Sequence, residues 1–338
     1  MNSAARLKGT SPLRIVFCGT PQFAVSTLKR LLAIPDFHLL AVITQPDRPR
    51  GRGQQVSLSP VKEVALAAHL PVHQPEKIRA PEVQQLLAEL APDVIVIIAY
   101  GQIIPGRLLA IPKHGWINLH ASLLPKYRGA APINWAIANG ETRTGLTTMR
   151  INVGMDSGDI LLQRQMEIGP AETASGLSAR MSEAGAPLVE ETLRGLAAGK
   201  IIARPQDHTQ ATLAPMLKRE DGRIDWTSAA QEIYNRMRGF APWPGAYTTF
   251  RGQTCHLWGE PVAQAASLPA ETRGDPSFTA AVAVPGSLFG AKNQWFVSCG
   301  RSTFLRLHSV KLEGRKQISI AEFVNGARLQ SGERFVGA

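Results

Sequence analysis

Apolar positions recur along the first half of the chain in two alternating periods. LRIVFC at 13–18 is a short continuous apolar run, the pattern of a strand buried on both faces. Gly19 then turns the chain, Thr20 is placed to cap a helix and Pro21 to open its first turn. Leu28, Leu31 and Leu32 carry the helical stripe. LLAVIT at 39–44 returns to strand, Ser59 and Pro60 form a second cap and first-turn proline, and PEVQQLLAEL predicts another helix. DVIVIIA at 93–99 and WINLH at 116–120 complete a strand, helix, strand alternation that predicts a mostly parallel α/β sheet with both faces covered. A helix over PINWAIANG and a strand over GLTTMRIN at 145–152 follow. Ligands of such sheets sit beyond the carboxyl ends of the strands. The loops expected there are FCGTPQF, AYGQIIPG and HASLLPKYRG.

The pattern changes after residue 200. IIARPQDHTQATLAPMLKRE is polar and aperiodic and reads as a linker. Beyond it SAAQEIYNRMRGF predicts a helix whose Ile233, Tyr234 and Met237 stripe faces a core. AYTTF, QTCHLW, QWFVSC and TFLRLHSV are short β-like runs separated by turn residues, the spacing of a small barrel. Residues 264–286 read as a long exposed loop.

Composition narrows the function classes. At 338 residues the chain is long enough for two domains, and 44% hydrophobic residues with no run long enough to cross a bilayer describe a globular protein without a membrane span. The first dozen residues lack the apolar core of a signal peptide and read as a frayed extension, so the expected compartment is the cytoplasm. Cys18, Cys255 and Cys299 lie far apart without metal-ligand spacing, which argues for small buried hydrophobes and against a disulfide framework or a metal site. GTPQF lacks the G-x-G-x-x-G spacing of a dinucleotide site. A net charge of +11 favours an acidic partner without specifying one.

Candidate chemistry centres on INLH. Alternation along a strand sends Ile117 and Leu119 to one face and Asn118 and His120 to the other, so the amide and the imidazole are neighbours. Taken alone, such a pair on a half-buried strand is more often hydrogen-bonded scaffolding than an acyl-transfer site. VGMDSGDIL adds Asp156 in a glycine-flanked loop. If that loop returns to the mouth, its carboxylate would favour the imidazolium and relay protons, while Asn118 donates to a developing oxyanion.

INLHASLLPKYRGAAPINWAIANGETRTGLTTMRINVGMDSGDIL resembles the catalytic region of the 10-formyltetrahydrofolate-dependent formyltransferases. The resemblance implies a Rossmann-like formyltransferase domain with a mostly parallel sheet at 13–204 and a linker at 205–220. It also implies an OB-like C-terminal β-barrel domain at 221–338 that contacts tRNA, all behind a disordered extension at 1–12. It implies catalytic roles for Asn118, His120 and Asp156, a donor-binding loop at Ser122, Leu123, Leu124 and Pro125, no metal, and 10-formyltetrahydrofolate as the formyl donor. AYGQIIP resembles a segment near the pterin pocket. TQPDRPRGRG at 44–53 resembles the loop by which tRNA-directed members engage the acceptor arm, with Arg52 matching its important arginine. The acceptor implied is methionyl initiator tRNA, and the state expected is a monomer. Amino-sugar formyltransferases share SLLPKYRG and PWPGAY and remain the alternative; glycinamide ribonucleotide formyltransferases share the Asn, His and Asp but not the basic loop. A noncatalytic RNA-binding module is the reading from another class.

Overall fold

The computed structural model describes residues 11–50, 55–262, 264, 267–269, 284–291 and 294–337. The expected N-terminal extension, up to residue 10, and most of the 264–286 loop lie outside them. In chain order the elements of the first half are β1 (Leu13–Gly19), α1 (Val25–Leu32), β2 (Phe37–Ile43), β3 (Pro49–Arg50), β4 (Gln55–Val56), α2 (Pro60–Ala67), β5 (Val72–His73) and α3 (Pro81–Leu90). They continue with β6 (Val94–Ile98), α4 (Gly106–Leu109), β7 (Trp116–His120), α5 (Pro132–Ala138), β8 (Arg143–Arg150), β9 (Ile160–Glu167) and α6 (Ala174–Ala197).

Seven of these strands form one sheet in the order β5-β2-β1-β6-β7-β8-β9. The first five pair in parallel, while β7–β8 and β8–β9 are antiparallel. The parallel strands are apolar throughout because both faces are covered. On one face Val16, Cys18, Ile95, Ile97 and Trp116 cluster with Val83 and Leu87 of α3. On the other, α6 approaches so closely at Gly185 that a Cβ there would lie 2.5 Å from Leu119 Cδ2. Leu119 therefore faces α6. Asn118 and His120, each one residue away from Leu119 along the strand, share the opposite face, as the alternation predicted.

Two local expectations are corrected. Thr20 does not cap a helix: Pro21 leads into a single 3-10 turn at Gln22–Ala24, and α1 begins only at Val25 without a side-chain cap. The Thr20 hydroxyl lies instead by the end of β2, where its Oγ1 accepts from Thr44 Oγ1 at 3.4 Å and from the Gln45 amide at 3.3 Å. Ser59 behaves as predicted, its Oγ accepting from the Lys62 amide at 3.2 Å with Pro60 at the first helical position. The strand expected at 145–152 lies two residues earlier. Asn152 Oδ1 accepts from the Gly154 amide and the Ser157 hydroxyl, both at 3.0 Å, and that side-chain turn ends the ladder.

Clustering of contacts divides the chain into two units. The first holds the chain up to Pro132 with Arg143–Glu167 and Gly176–Pro215; the second holds Ile133–Thr142, Ile168–Ser175 and the chain from Met216. Residues 201–215, read as linker from their polarity, are paired within the first unit. Arg204 exchanges both backbone hydrogen bonds with Ile160, at 2.8 and 2.9 Å, and Ala214 donates to the Arg128 carbonyl at 2.7 Å. Side-chain polarity reported the solvent here and not the backbone pairing.

The second unit adds α7 (Ala230–Gly239), β10 (Tyr247–Phe250), β11 (Gln253–Val262), β12 (Leu288–Ala291), β13 (Gln294–Ser298), β14 (Phe304–Leu312), β15 (Ile318–Ser319) and α8 (Ile320–Ala327). Its antiparallel sheet runs β10-β11-β14-β13-β12, with β15 against β14. This is the OB-like part of the fold. Ile233 and Met237 of α7, Cys255, Leu257, Trp295, Leu305 and Phe323 build its core, while Tyr234 of the expected stripe is only half-buried.

Candidate active site

β7 ends at His120, at the carboxyl edge of the parallel sheet, with Asn118 one inward-facing step behind it between Ile97 of β6 and Met149 of β8. His120 is 6% exposed. Its Nε2 lies 2.8 Å from the Tyr127 carbonyl oxygen. A carbonyl only accepts, so Nε2 carries a hydrogen and donates it. That fixes the ring and leaves Nδ1 as the nitrogen free to exchange a proton. Nδ1 faces Asp156 Oδ2 at 3.7 Å.

The loop between β8 and β9 brings Asp156 to this position. Gly158 lets the loop close on its own strand, since a Cβ there would lie 1.8 Å from the Arg150 carbonyl oxygen. Asp156 itself is left-handed, with φ +45. Its Oδ2 accepts from the Gly129 amide at 2.8 Å, so the oxygen that faces the imidazole is also held by backbone. Gly129 has φ +118, and a Cβ on it would lie 2.7 Å from the Ala214 carbonyl oxygen. Only glycine meets both demands.

The SLLP loop is built from inside. Ser122 is fully buried and its hydroxyl donates to the Lys126 carbonyl at 2.6 Å. Thr147 Oγ1 of β8 donates to the Ser122 carbonyl at 2.7 Å and accepts from the Leu124 amide at 3.2 Å; Gln163 Nε2 of β9 donates to the Leu124 carbonyl at 3.0 Å. Leu124 packs with Met149 and Ile160, and Leu123 and Pro125 are half-buried at the surface. The Ser122 hydroxyl therefore shapes the loop and does not face the mouth.

The basic cluster after this loop divides. Lys126 is exposed, but Arg128 is 8% exposed and turned inward. Its Nε and Nη2 donate to Gln206 Oε1 at 3.1 and 2.6 Å, and Nη2 lies 3.0 Å from His208 Nδ1. Gln206 and Thr147 carry no pattern that singles them out in the sequence: one lies in an aperiodic polar stretch, the other is one threonine among several.

Arg52 lies outside the described residues. The base of its loop is described: β3 and β4 pair antiparallel, Pro49 opposite Val56. Behind them Asp47 pairs with Lys62, whose Nζ also donates to Gln74 Oε1 at 2.6 Å, while Gln74 Nε2 returns to Asp47 Oδ1 at 3.1 Å. Among the described residues no group of His, Cys, Asp and Glu could hold a metal ion, and no helix is long and apolar enough to cross a membrane. The three cysteines are buried, and burial raises the Cys255 and Cys299 thiols to about 12.

Comparison with known proteins bears on the whole chain. The formyl transferase family model matches residues 13–193, and the model of the formyl transferase C-terminal domain matches 216–328. The methionyl-tRNA formyltransferase of Solibacter usitatus is 50% identical over 322 residues, 95% of this chain and 98% of its own. That of Acidobacterium capsulatum is 51% identical over 318 residues, covering 94% and 97%. Among solved structures, an N-formyltransferase from Helicobacter canadensis in complex with folinic acid and dTDP-3-aminofucose superposes with a TM-score of 0.62. It is 18% identical and covers 87% of this chain and 98% of its own, a likeness of fold. The chain belongs to the formyl transferase family and, within it, to the methionyl-tRNA formyltransferases.

Proposed function

We propose that the protein transfers the formyl group of 10-formyltetrahydrofolate to the α-amine of methionyl initiator tRNA, acting as a monomer in the cytoplasm. The observation that carries this reading is the half identity, over almost the full length, to methionyl-tRNA formyltransferases. The site supports the chemistry. The neutral amine attacks the formyl carbon, forming the new C–N bond, and the carbonyl oxygen takes up negative charge. Asn118 and a protonated His120 Nδ1 donate toward that oxygen, and Asp156, 3.7 Å from Nδ1, accepts the amine proton through water. The bond to folate N10 breaks as N10 takes up, through the same water and Asp156, the proton the amine gave up, so the site ends in its starting protonation state. The loop at Ser122, Leu123, Leu124 and Pro125 presents a fixed backbone to the folate donor. No step requires a metal.

Arg52 and its neighbours bind the acceptor arm through phosphate contacts, on a base stiffened by Asp47, Lys62 and Gln74. Arg52→Ala is expected to raise the KM for charged tRNA and to reduce its salt dependence, with folate affinity unchanged; identical tRNA kinetics across a salt series would contradict this role. The acceptor is tested by offering charged initiator tRNA and an amino-sugar nucleotide in separate reactions. Formylation of the sugar alone would establish the alternative.

A further inference from the structure

The geometry points to Gln206 as a positioning residue that, bridging the buried Arg128 guanidinium to the carbonyls of the Asp156 loop, holds Asp156 at the distance from His120 that formyl transfer requires. The inference rests on the proposed role of Asp156. Gln206 is 7% exposed. Its Nε2 donates to the Asp156 carbonyl at 2.9 Å and to the Gly158 carbonyl at 2.7 Å. Its Oε1 takes the two donors from Arg128. Both amide hydrogens and the amide oxygen are thus engaged. The orientation has one solution, because a guanidinium only donates and a carbonyl only accepts; turning the amide over would set donor against donor at one end and acceptor against acceptor at the other.

Asp156 needs such a support. A left-handed backbone at a non-glycine residue is costly and persists only where its surroundings fix it. The side chain is held at one end by the Gly129 amide, and the main chain at the other by Gln206. Both supports lead to the same two-residue stretch, since Arg128 holds Gln206 and its neighbour Gly129 holds the carboxylate. The segment carrying Gln206 is in turn fixed by the paired backbone of Arg204 and Ile160. A residue of another type cannot replace the bridge. A carboxylate at 206 keeps the Arg128 contact but faces two carbonyl oxygens, and an apolar isostere strands donors and acceptors at both ends.

The test is a double-mutant cycle on the full-length enzyme, with steady-state kinetics for charged tRNA and 10-formyltetrahydrofolate. Gln206→Met and Gln206→Glu are each expected to lower kcat on the order of tenfold to a hundredfold, with both KM values held within about twofold. Asp156→Asn keeps the left-handed residue and the bond from Gly129 but removes the charge. In that background the Gln206 substitutions are expected to cost nothing further, whereas general loosening of the fold would multiply with it. Should Gln206→Met fail to fold, Gln206→Glu, which keeps the Arg128 contact, carries the test. Wild-type kcat in the Gln206 variants beside an impaired Asp156→Asn, or losses that multiply, would overturn the positioning role while leaving Asp156 in place. Wild-type kcat in Asp156→Asn itself would overturn the role of Asp156 and this inference with it.

Discussion

At the scale of single residues, the site depends on how few orientations its polar groups are allowed. Tyr127 fixes the His120 ring through Nε2, and Gly129 fixes Asp156 through Oδ2, so the 3.7 Å between Nδ1 and the carboxylate follows from backbone positions. Gly129→Ala tests this dependence. Its Cβ would meet the Ala214 carbonyl oxygen, and the amide that holds Asp156 would move; the expected result is a kcat loss on the order of a hundredfold, with the folate KM near that of wild type. The placement of Asn118 and His120 on one strand face, with the Asp156 loop returning toward them, was legible because strand alternation and glycine-flanked loops leave a mark on sequence. Gln206 was not, because its partners are two carbonyls and a guanidinium distant in sequence, and a polar residue meeting backbone leaves no periodic signal. Nor does the sequence show that Arg128, two residues after the exposed Lys126, turns inward onto Gln206.

At the scale of elements, caps and cross-strand supports set the loops around the mouth. Ser59→Ala removes the hydroxyl that caps α2 and is expected to cost about 1 kcal/mol of stability by denaturant titration, with catalysis unchanged. Thr147→Val reaches further, because the buried Ser122 carbonyl loses its donor and the Leu124 amide its acceptor. A loss of about 1–3 kcal/mol is expected, together with a raised KM for the folate donor and an unaltered KM for tRNA. β1, β2, β6 and β7 were legible from apolar runs, which mark burial on both faces, whereas the two-residue β5 and the long α6 were not anticipated. β9 was not, since it alternates half-buried with exposed positions and carries Gln163, Arg164 and Gln165 in its middle. Polarity also disguised 201–215, where backbone pairing does the structural work that side chains do elsewhere.

At the scale of the whole molecule, stability and function respond to different charges. His114 in the first unit and His256 in the second are both held below the ordinary histidine range. Burial is the larger cause in each, followed by the charge of Lys113 for one and of Lys311 for the other. Between the lowered values and the ordinary one the unfolded chain binds more protons than the folded one, so stability rises with pH across that window. The denaturant midpoint is expected to fall as pH drops below about 6.5, the ordinary histidine value. His256→Gln is expected to make that fall smaller. The +11 charge acts on association with tRNA and not on the fold. The measurement that tests the central claim most directly is single-turnover transfer from 10-formyltetrahydrofolate to charged initiator tRNA, by the wild-type enzyme and by folded His120→Ala. The account predicts a formyl group on the methionyl α-amine and a rate lower by about a hundredfold or more in the variant. Equal rates for the two proteins, or no formylation of the charged tRNA by the wild type, would contradict it.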